Sequence, residues 1–179
     1  MTACEAGNAE VTLLLLDAGA NITLTDSKNH TALFYAIRPG SEDLALDILG
    51  RVDTVEAFTD AGDVLLLAAE LGLYRLVSSC VGFRAPIDGM PLLVDYEDSK
   101  DRSTALHKSC ANGHRQTADL LLKSRAIVDA RNEDEETALA LAAEAGKSDI
   151  VKSLLAYGAD PPAAHRQSNH CHKNGLLIW

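Results

Sequence analysis

Apolar positions between residues 137 and 162 follow the period of two short helices separated by a glycine. The first segment, TALALAAEA, consists almost entirely of alanine and leucine, so another layer could pack close to its backbone. Gly146 follows, and we expect it to end this helix in the left-handed conformation that glycine adopts at low cost. Ser148 is predicted to cap the second helix, and Asp149 places a negative charge in its first turn.

The predicted second helix carries its apolar residues on one side. Ile150, Val151, Leu154 and Leu155 recur at i, i+1, i+4 and i+5, which forms a single stripe. Neither short helix could bury its apolar side alone. The pattern therefore predicts that this pair stacks against further copies of itself.

Such copies recur at nearly constant spacing. The segment that begins at Thr104 starts 33 residues before the one at Thr137, and a similar segment begins at Thr31. Adding 33 to Thr31 places Val64 at the start of another copy, with 40 residues between it and Thr104. The third unit is therefore predicted to contain an insertion. Subtracting 33 from Gly40 gives Gly7, so residues before about 27 are predicted to form a first unit that lacks its beginning.

A period of 33 residues that combines T-x-L-x-x-A, a glycine and L-L-x-x-G-A resembles the signature of the ankyrin repeat family. The resemblance implies an all-α, ankyrin-type solenoid of helix pairs with short hairpin-like loops. We expect about five units over residues 1–162, the first of them truncated. Their approximate bounds are 1–27, 28–60, 61–100 with an insertion near 86–96, 101–133 and 134–162.

The chain departs from the family pattern at the glycine that ends each second helix. Glycine is kept at Gly19 and Gly158, whereas the middle units carry Val52, Ala85 and Arg125. A residue with a Cβ must either adopt a strained left-handed backbone or end the helix differently. We therefore expect units two to four to be less regular.

Composition and charge restrict the partners. The formal net charge of −10 disfavours nucleic acid and anionic membranes, because both need basic surface. The longest apolar run, residues 11–16, is too short to span a bilayer. Four cysteines without a paired framework, and no signal-like start, indicate a cytoplasmic or nuclear protein, which we expect to be monomeric. Residues 163–179 have no acidic residue and no repeat phase, and we expect a poorly ordered tail.

Two groups of residues raise the question of chemistry. His107, Cys110 and His114 are spaced i, i+3, i+7, but the helix should break at Gly113, and we expect these residues to have structural roles at the turns. His170–His172 is a dense cluster that lacks a fourth ligand for a tetrahedral metal. We therefore expect no catalytic residue, no cofactor and no metal site, and we treat a small enzyme or metal protein as the remote alternative.

An acidic cluster, residues 133–136, falls where the family places a hairpin tip. It could be a solvated charge run that only keeps the protein in solution. The functional alternative is a binding site for a basic peptide.

The resemblance implies a protein–protein interaction scaffold or adaptor that binds its partner on the concave face of the array. An alternative is a regulatory or targeting arm of a larger enzyme whose catalytic domain lies outside this chain. By analogy with the family, contacts come from the loop tips and from the exposed side of the first helices. The tip positions are Ser27, Lys28, His30, Asp60, Ala61, Asp63, Lys100, Asp101, Ser103, Glu133, Asp134 and Glu136. The helix positions are Arg38, Glu70, Leu71, Asn112 and Glu144.

Overall fold

A computed structural model describes residues 1–38, 41–51, 59–82 and 93–161. These segments contain ten helices. In chain order the helices are α1 (Thr2–Glu5), α2 (Ala9–Asp17), α3 (Ala32–Ile37), α4 (Glu42–Leu49), α5 (Ala61–Leu71), α6 (Tyr74–Gly82), α7 (Ala105–Asn112), α8 (Arg115–Lys123), α9 (Ala138–Glu144) and α10 (Ser148–Ala156).

The helices pack in consecutive pairs that stack in two rows. The first helices α1, α3, α5, α7 and α9 contact one another in that order, and the second helices α4, α6, α8 and α10 form a parallel row. Glu97 and Thr104 form an isolated antiparallel bridge, and no longer strand occurs in the described segments. The predicted all-α helix-pair solenoid is confirmed. Within the same segments, no helix combines the length and apolar character that a bilayer crossing requires.

The sharp turn between the helices of a pair depends on glycine in the four pairs whose turn the structure describes. Gly146 has a φ of 68° and Gly72 a φ of 73°, so both lie in the left-handed region that was predicted for Gly146. A Cβ on Gly72 would also collide with the ring of His114. Glycine at this point therefore permits both the left-handed turn and the close approach of the next unit.

The predicted cap of α10 is wrong by one residue. Lys147 occupies the N-cap position, and Ser148 is already the first helical residue, without a side-chain capping bond. Only Lys147 lies between Gly146 and the helix. The turn before α2 has the same length, and there the N-cap Asn8 accepts a hydrogen bond from the N–H of Val11 at 3.2 Å. Asp149 lies in the first turn of α10, as predicted.

The third unit begins its first helix earlier than the repeat spacing predicts. Asp60 is the N-cap of α5, and its buried carboxylate accepts hydrogen bonds from the backbone N–H (2.6 Å) and the hydroxyl of Thr31 (2.9 Å). This pairing reaches back to the preceding unit, so Ala61 is helical and buried rather than part of a loop. The start predicted at Val64, the counterpart of the capping threonines, lies four residues after the observed cap Asp60.

The left-handed glycines also shift the register of that unit by one residue. Gly113 lies nine residues after Thr104, whereas Gly72 lies nine residues after Asp63 and only eight after Val64. Asp63, not Val64, therefore corresponds to the threonines that precede the other first helices.

The core consists of slices between neighbouring units, as a solenoid requires. Leu106, Leu121, Leu139 and Leu154 recur at 33-residue spacing and are all buried. In the apolar stripe of α10, Ile150 and Leu154 are buried and Val151 is half-buried, but Leu155 is 44% exposed.

Of the three positions where glycine is replaced, the structure describes Arg125. It keeps the left-handed conformation, with a φ of 66°, so the backbone geometry is retained without glycine. Val52 and Ala85 lie outside the described residues, as do most of the predicted insertion near 86–96, the tail 163–179 and the cluster 170–172.

Candidate protein-interaction surface

Three loop tips between the helix pairs close through a side chain at their base. Asp26 Oδ1 accepts from the N–H of Lys28 at 2.8 Å, Asp98 Oδ1 from that of Lys100 at 3.0 Å, and Asn132 Oδ1 from that of Glu136 at 2.8 Å. These bonds fold each tip back on itself and replace hydrogen bonds to water. The tips therefore project from the helices as compact turns.

Each tip also contains a non-glycine residue in the left-handed region. Asn29, Arg102 and Glu135 have φ angles of 66°, 55° and 61°. Each lies two residues before the threonine that precedes the next first helix. Residues with a Cβ adopt this backbone rarely. The same turn is therefore built three times, although it carries different side chains.

The last two tips, residues 97–103 and 131–136, lie against each other. The backbone N–H of Glu133 donates to the carbonyl oxygen of Asp101 at 2.8 Å. Behind them, the buried His107 accepts at Nδ1 from the N–H of Thr104 (3.1 Å) and uses Nε2 to reach the carbonyls of Ala130 (3.0 Å) and Glu136 (3.2 Å). Because Nδ1 accepts, Nε2 carries the proton and donates to both carbonyls.

Burial keeps His107 neutral. Removal of the ring from water lowers its pKa more than the two backbone carbonyls and the nearby carboxylates raise it. A neutral imidazole with one donor and one acceptor matches its partners, so this residue positions the tips and is not free for proton transfer.

Lys108 anchors the first of these tips to α7. Its Nζ lies 2.9 Å from Asp101 Oδ2 and 3.3 Å from Asp98 Oδ2, in a half-buried position. Partial burial alone would raise the pKa of the Asp101 carboxyl, but the N–H of Ser103 and the Lys108 ammonium hold it below its usual value. Asp101 therefore remains charged and is engaged within the tip.

The neighbouring tip retains free negative charge. Arg131 pairs with Glu135 at 3.5 Å, and Arg102 in the adjacent tip pairs with Glu97 at 3.0 Å. Glu133 and Asp134 are exposed and form no ion pair with any residue that the structure describes. These two carboxylates lie where an approaching basic group would meet them first.

Six of the predicted contact residues thus come together at the last two tips: Lys100, Asp101, Ser103, Glu133, Asp134 and Glu136. Lys100, Glu133 and Asp134 are exposed, and Asp101 and Glu136 are half-buried. Ser103 is buried, so its side chain lies behind the surface.

The predicted contact residues on the helices lie at the C-terminal ends of α5, α7 and α9, whereas the last two tips precede the N-terminal ends of α7 and α9. Glu70 and Leu71 end α5, Asn112 ends α7 and Glu144 ends α9, and all four are exposed. The helices that carry them contact one another in sequence. Their exposed C-terminal ends therefore form a row along neighbouring first helices, one helix length from the tips.

Four predicted residues lie toward the other end of the array. Lys28 is exposed on the first tip, beside Ser27, and His30 stacks on Phe34 with ring centroids 3.8 Å apart. Arg38 lies 3.9 Å from Glu5. These residues share the loop and first-helix side of the molecule with the acidic tip but are not adjacent to it.

Three further positions do not lie on a tip. Asp60 and Ala61 are buried at the start of α5, and Asp63 lies half-buried within that helix. They were predicted to lie before a helix that starts at Val64. Because the helix starts earlier, Asp60 is its N-cap and Ala61 and Asp63 are helical. Asp63 instead lies near Tyr96, whose hydroxyl donates to its Oδ1 at 3.4 Å.

Lys108, which joins helix and tip, was not among the predicted contact residues. The only sequence signal for it is its place four residues after Thr104, one turn into a predicted helix. Its two carboxylate partners depend on how the loop folds, and periodicity carries no information about that.

The histidine and cysteine group is structural, as predicted. His114 Nε2 lies 2.8 Å from the carbonyl oxygen of Glu70, and His107 bonds backbone carbonyls. Cys110 is fully buried, and burial raises its pKa to about 12, which leaves a thiol and not a nucleophilic thiolate. Among the described residues, no three histidine, cysteine or acidic side chains converge on a point that could hold a metal ion.

Comparison with known proteins agrees with the helix pairs and their turns. The family model for ankyrin repeats in three copies matches residues 65–165. The chain belongs to the ankyrin repeat family. Ankyrin repeats generally mediate protein–protein interactions and are typically non-catalytic modules.

Relatives share parts of this array. An ankyrin repeat-containing protein of Treponema pallidum (strain Nichols) is 26% identical over 87% of the chain and 39% of its own length. The nuclear factor NF-kappa-B p105 subunit of Gallus gallus is 30% identical over 86% of the chain and 15% of its own length. A protein of Oryza sativa subsp. japonica, named as a probable E3 ubiquitin-protein ligase, is 32% identical over 43% of the chain and 16% of its own length. The chain therefore spans less than half the length of each of these relatives.

Proposed function

We propose that this ankyrin array is an interaction scaffold or adaptor module that binds a protein partner on its concave face, along the loop tips and first helices. The supporting observation is the junction of the last two tips. The bond between the N–H of Glu133 and the carbonyl of Asp101 joins them into one surface. The buried His107 holds that surface in place from behind.

We further propose that the partner presents a basic segment. Residues 131–136 contain four acidic residues and one basic residue, and Arg131 is engaged with Glu135. Lysine or arginine side chains from a partner would relieve the repulsion among the remaining carboxylates. Between exposed charges this attraction acts within about 8 Å at physiological salt, so it affects the association rate more than the contact energy.

The row on the first helices supplies the rest of the proposed site. Glu70, Asn112 and Glu144 offer two carboxylates and an amide along adjacent helices, and Leu71 adds an exposed apolar side chain. A partner that reaches from the acidic tip across these helix ends would meet polar groups at regular intervals. Lys28, His30 and Arg38 would be reached only by a partner that covers most of the array.

Affinity capture tests this proposal. The chain, immobilised through its C terminus, is compared with the double variant Glu133→Lys, Glu136→Lys, and captured proteins are identified by mass spectrometry. We expect the wild type to retain proteins that the double variant loses, because the reversals turn the tip from acidic to basic. Helix content, measured by circular dichroism, should be equal in the two chains.

A matched control separates a local effect from net charge. The variant Glu10→Lys, Asp47→Lys makes the same change in charge at exposed positions of α2 and α4. It should retain the captured partner. Equal loss of the partner in both variants would indicate attraction to net charge alone and would contradict a site at the tips.

The association rate gives a second test once a partner is in hand. For the wild type, the rate should fall steeply as salt is raised from low to physiological concentration. The double variant should associate slowly at every salt concentration. A rate that is equal in the two chains and independent of salt would leave residues 133–136 as a solubilising surface only.

The similarity to a protein named as an E3 ubiquitin-protein ligase favours one second candidate, in which the array is a regulatory or targeting arm of a larger enzyme. The array would then bring a substrate or regulator to a catalytic domain outside residues 1–179. The length of the endogenous protein, measured by immunoblot with an antibody to the array, distinguishes the candidates. A species near 19.1 kDa supports a free adaptor, and a much larger species supports the arm.

We also propose a reducing compartment, the cytoplasm or nucleus, and a monomeric chain. Cys4, Cys80 and Cys110 are buried thiols without a disulfide partner among the described residues. Burial raises the pKa of Cys80 and Cys110 to about 12, so these thiols are poorly reactive.

A further inference from the structure

The second helix of the first pair, α2, exposes a large apolar surface. Val11 is 42% and Leu15 is 51% exposed, and Leu14 lies beside them. Val11 and Leu15 are one helical turn apart and thus form one stripe. Exposed apolar side chains that cluster in this way mark a surface that is covered by something else.

The repeat itself shows what such a stripe contacts. When the units are aligned on the glycine that separates the two helices of each pair in the sequence, the positions of Val11 and Leu15 are occupied elsewhere by residues that are at most 3% exposed. The residues at the position of Val11 are Leu44, Leu76, Thr117 and Ile150. The residues at the position of Leu15 are Ile48, Cys80, Leu121 and Leu154.

The last helix pair shows which neighbouring pair buries the positions of Val11 and Leu15. In α10, Ile150 and Leu154 are buried, although no helix pair follows within the described residues. Leu155 in the same helix is 44% exposed, whereas the matching residues Leu49 and Leu122 in earlier units are buried. The positions of Val11 and Leu15 are therefore covered by the preceding helix pair, and the position of Leu155 by the following pair.

The first helix of the same pair agrees. Ala3 is half-buried in α1, but Ala36, Ala68 and Ala142 at the same position of later units are completely buried. Ala3, Val11 and Leu15 thus reproduce the side of a unit that packs against its predecessor everywhere else in the array. Surfaces of this kind have the chemistry of an inter-unit interface and not of a solvated end.

We propose that this surface of α1 and α2 docks one further ankyrin-type helix pair, as a continuation of the row of first helices that includes α1 and α3. The partner must present a second helix with an aliphatic residue at the position of Leu122, because that side faces the next unit. It must also present small residues on its first helix, so that the backbones can approach. The surface is separate from the loop tips and does not depend on the function proposed for them.

A chain extended by one helix pair tests the proposal. A copy of residues 104–139 is joined directly before Met1, so that Met1 takes the place of Ala140 and the copied Thr137 caps a complete first helix. Gly7 and Gly146 then end their helices in the same register. We expect a higher Tm than that of the natural chain, because each stacked interface in a solenoid adds stability.

Single substitutions locate the effect. Leu15→Ala should lower the Tm of the extended chain by on the order of 5 °C or more, as for a buried leucine, and should change the natural chain much less. Leu14→Ala is the matched control, because Asp47, Ser79 and Ser153 show that its position tolerates polar residues. It should cause a much smaller shift than Leu15→Ala in the extended chain.

Two results would overturn the proposal. One is an extended chain with no gain in Tm, or with equal sensitivity to Leu15→Ala in both backgrounds. The other is a natural chain whose mass, measured by light scattering at rising concentration, doubles and returns to that of a monomer in Leu15→Asp. In that case the surface would bind a second copy of the chain.

Discussion

His107 joins the start of α7 to the loop that leads into α9. It receives a hydrogen bond from Thr104 and donates to the carbonyls of Ala130 and Glu136, which lie in the following connection. One buried ring therefore satisfies groups from two units, and its own polar atoms are fully used. His107 therefore fixes the backbone on both sides of the acidic tip, at Ala130 and at Glu136.

The first prediction concerns the effect of pH on this histidine. Burial places the pKa of His107 below that of an unfolded histidine, which is about 6.5. As the pH falls below that value, the unfolded chain binds a proton that the folded chain does not, so the free energy of unfolding decreases. Urea unfolding at pH 7 and pH 5.5 should show a larger loss for the wild type than for His107→Gln. Equal losses would show that His107 does not titrate differently in the two states.

A second prediction concerns the left-handed backbone at Arg125. An L-residue pays about 1–2 kcal/mol to adopt this region, and glycine does not, although glycine gains flexibility in the unfolded chain. Arg125→Gly should therefore raise the free energy of unfolding by about 0.5–1 kcal/mol. Arg125→Ala, which keeps a Cβ, should bring no such gain. If alanine stabilises as much as glycine, removal of the exposed arginine and not backbone strain is the cause.

At this scale the sequence predicted local chemistry but not long-range partners. The glycine turn at Gly146 and the negative charge of Asp149 depend on neighbouring residues, and both were predicted correctly. The role of Asp60 depends on Thr31, 29 positions away, and repeat spacing cannot reveal a carboxylate that caps one helix and binds the threonine before another. The contacts of Lys108 were missed for the same reason.

The helix pairs derive their stability from their neighbours. α7 contacts α5 on one side and α9 on the other, and α8 lies between α6 and α10. Thr104 and Thr137 precede helices where the repeat pattern predicted them, because the same short motif recurs and each copy has the same neighbours. The third unit departs from this regularity at its first helix, α5. There Asp60 is the N-cap in place of a threonine, and its carboxylate binds Thr31 of the preceding unit.

The third prediction tests this coupling. Leu139→Ala should lower the free energy of unfolding by about 2–5 kcal/mol, the usual range for a buried leucine. The loss should extend to α7 and α8, because α9 contacts α7 directly. Hydrogen exchange should therefore accelerate in α7 and α8 as well as in α9.

Leu155→Ala provides the control, since it makes the same change at an exposed position of the last pair. It should leave the exchange of α7 and α8 unchanged. An unfolding midpoint that Leu139→Ala does not alter would contradict the packing described for this interface.

The whole molecule presents two different kinds of surface. The tips and first helices carry the acidic residues 133–136 and the hydrogen-bonded junction at Asp101 and Glu133, whereas the second helix α2 carries the exposed apolar stripe. The acidic tip was predictable from sequence because its charges are consecutive. The apolar stripe of α2 was not, because the matching positions of the later units are buried, and the exposure of Val11 and Leu15 is visible only in the structure.

Carbodiimide cross-linking tests the central claim, that a protein partner binds along the tips and first helices. This reagent joins carboxylates to lysines without a spacer, so each link reports direct contact between the chain and a captured partner. We predict links from Glu133, Asp134 and Glu136, with further links from Glu70 or Glu144, identified by mass spectrometry of the cross-linked complex. Links confined to carboxylates of the second helices, such as Glu10, Asp47 and Asp149, would contradict the account.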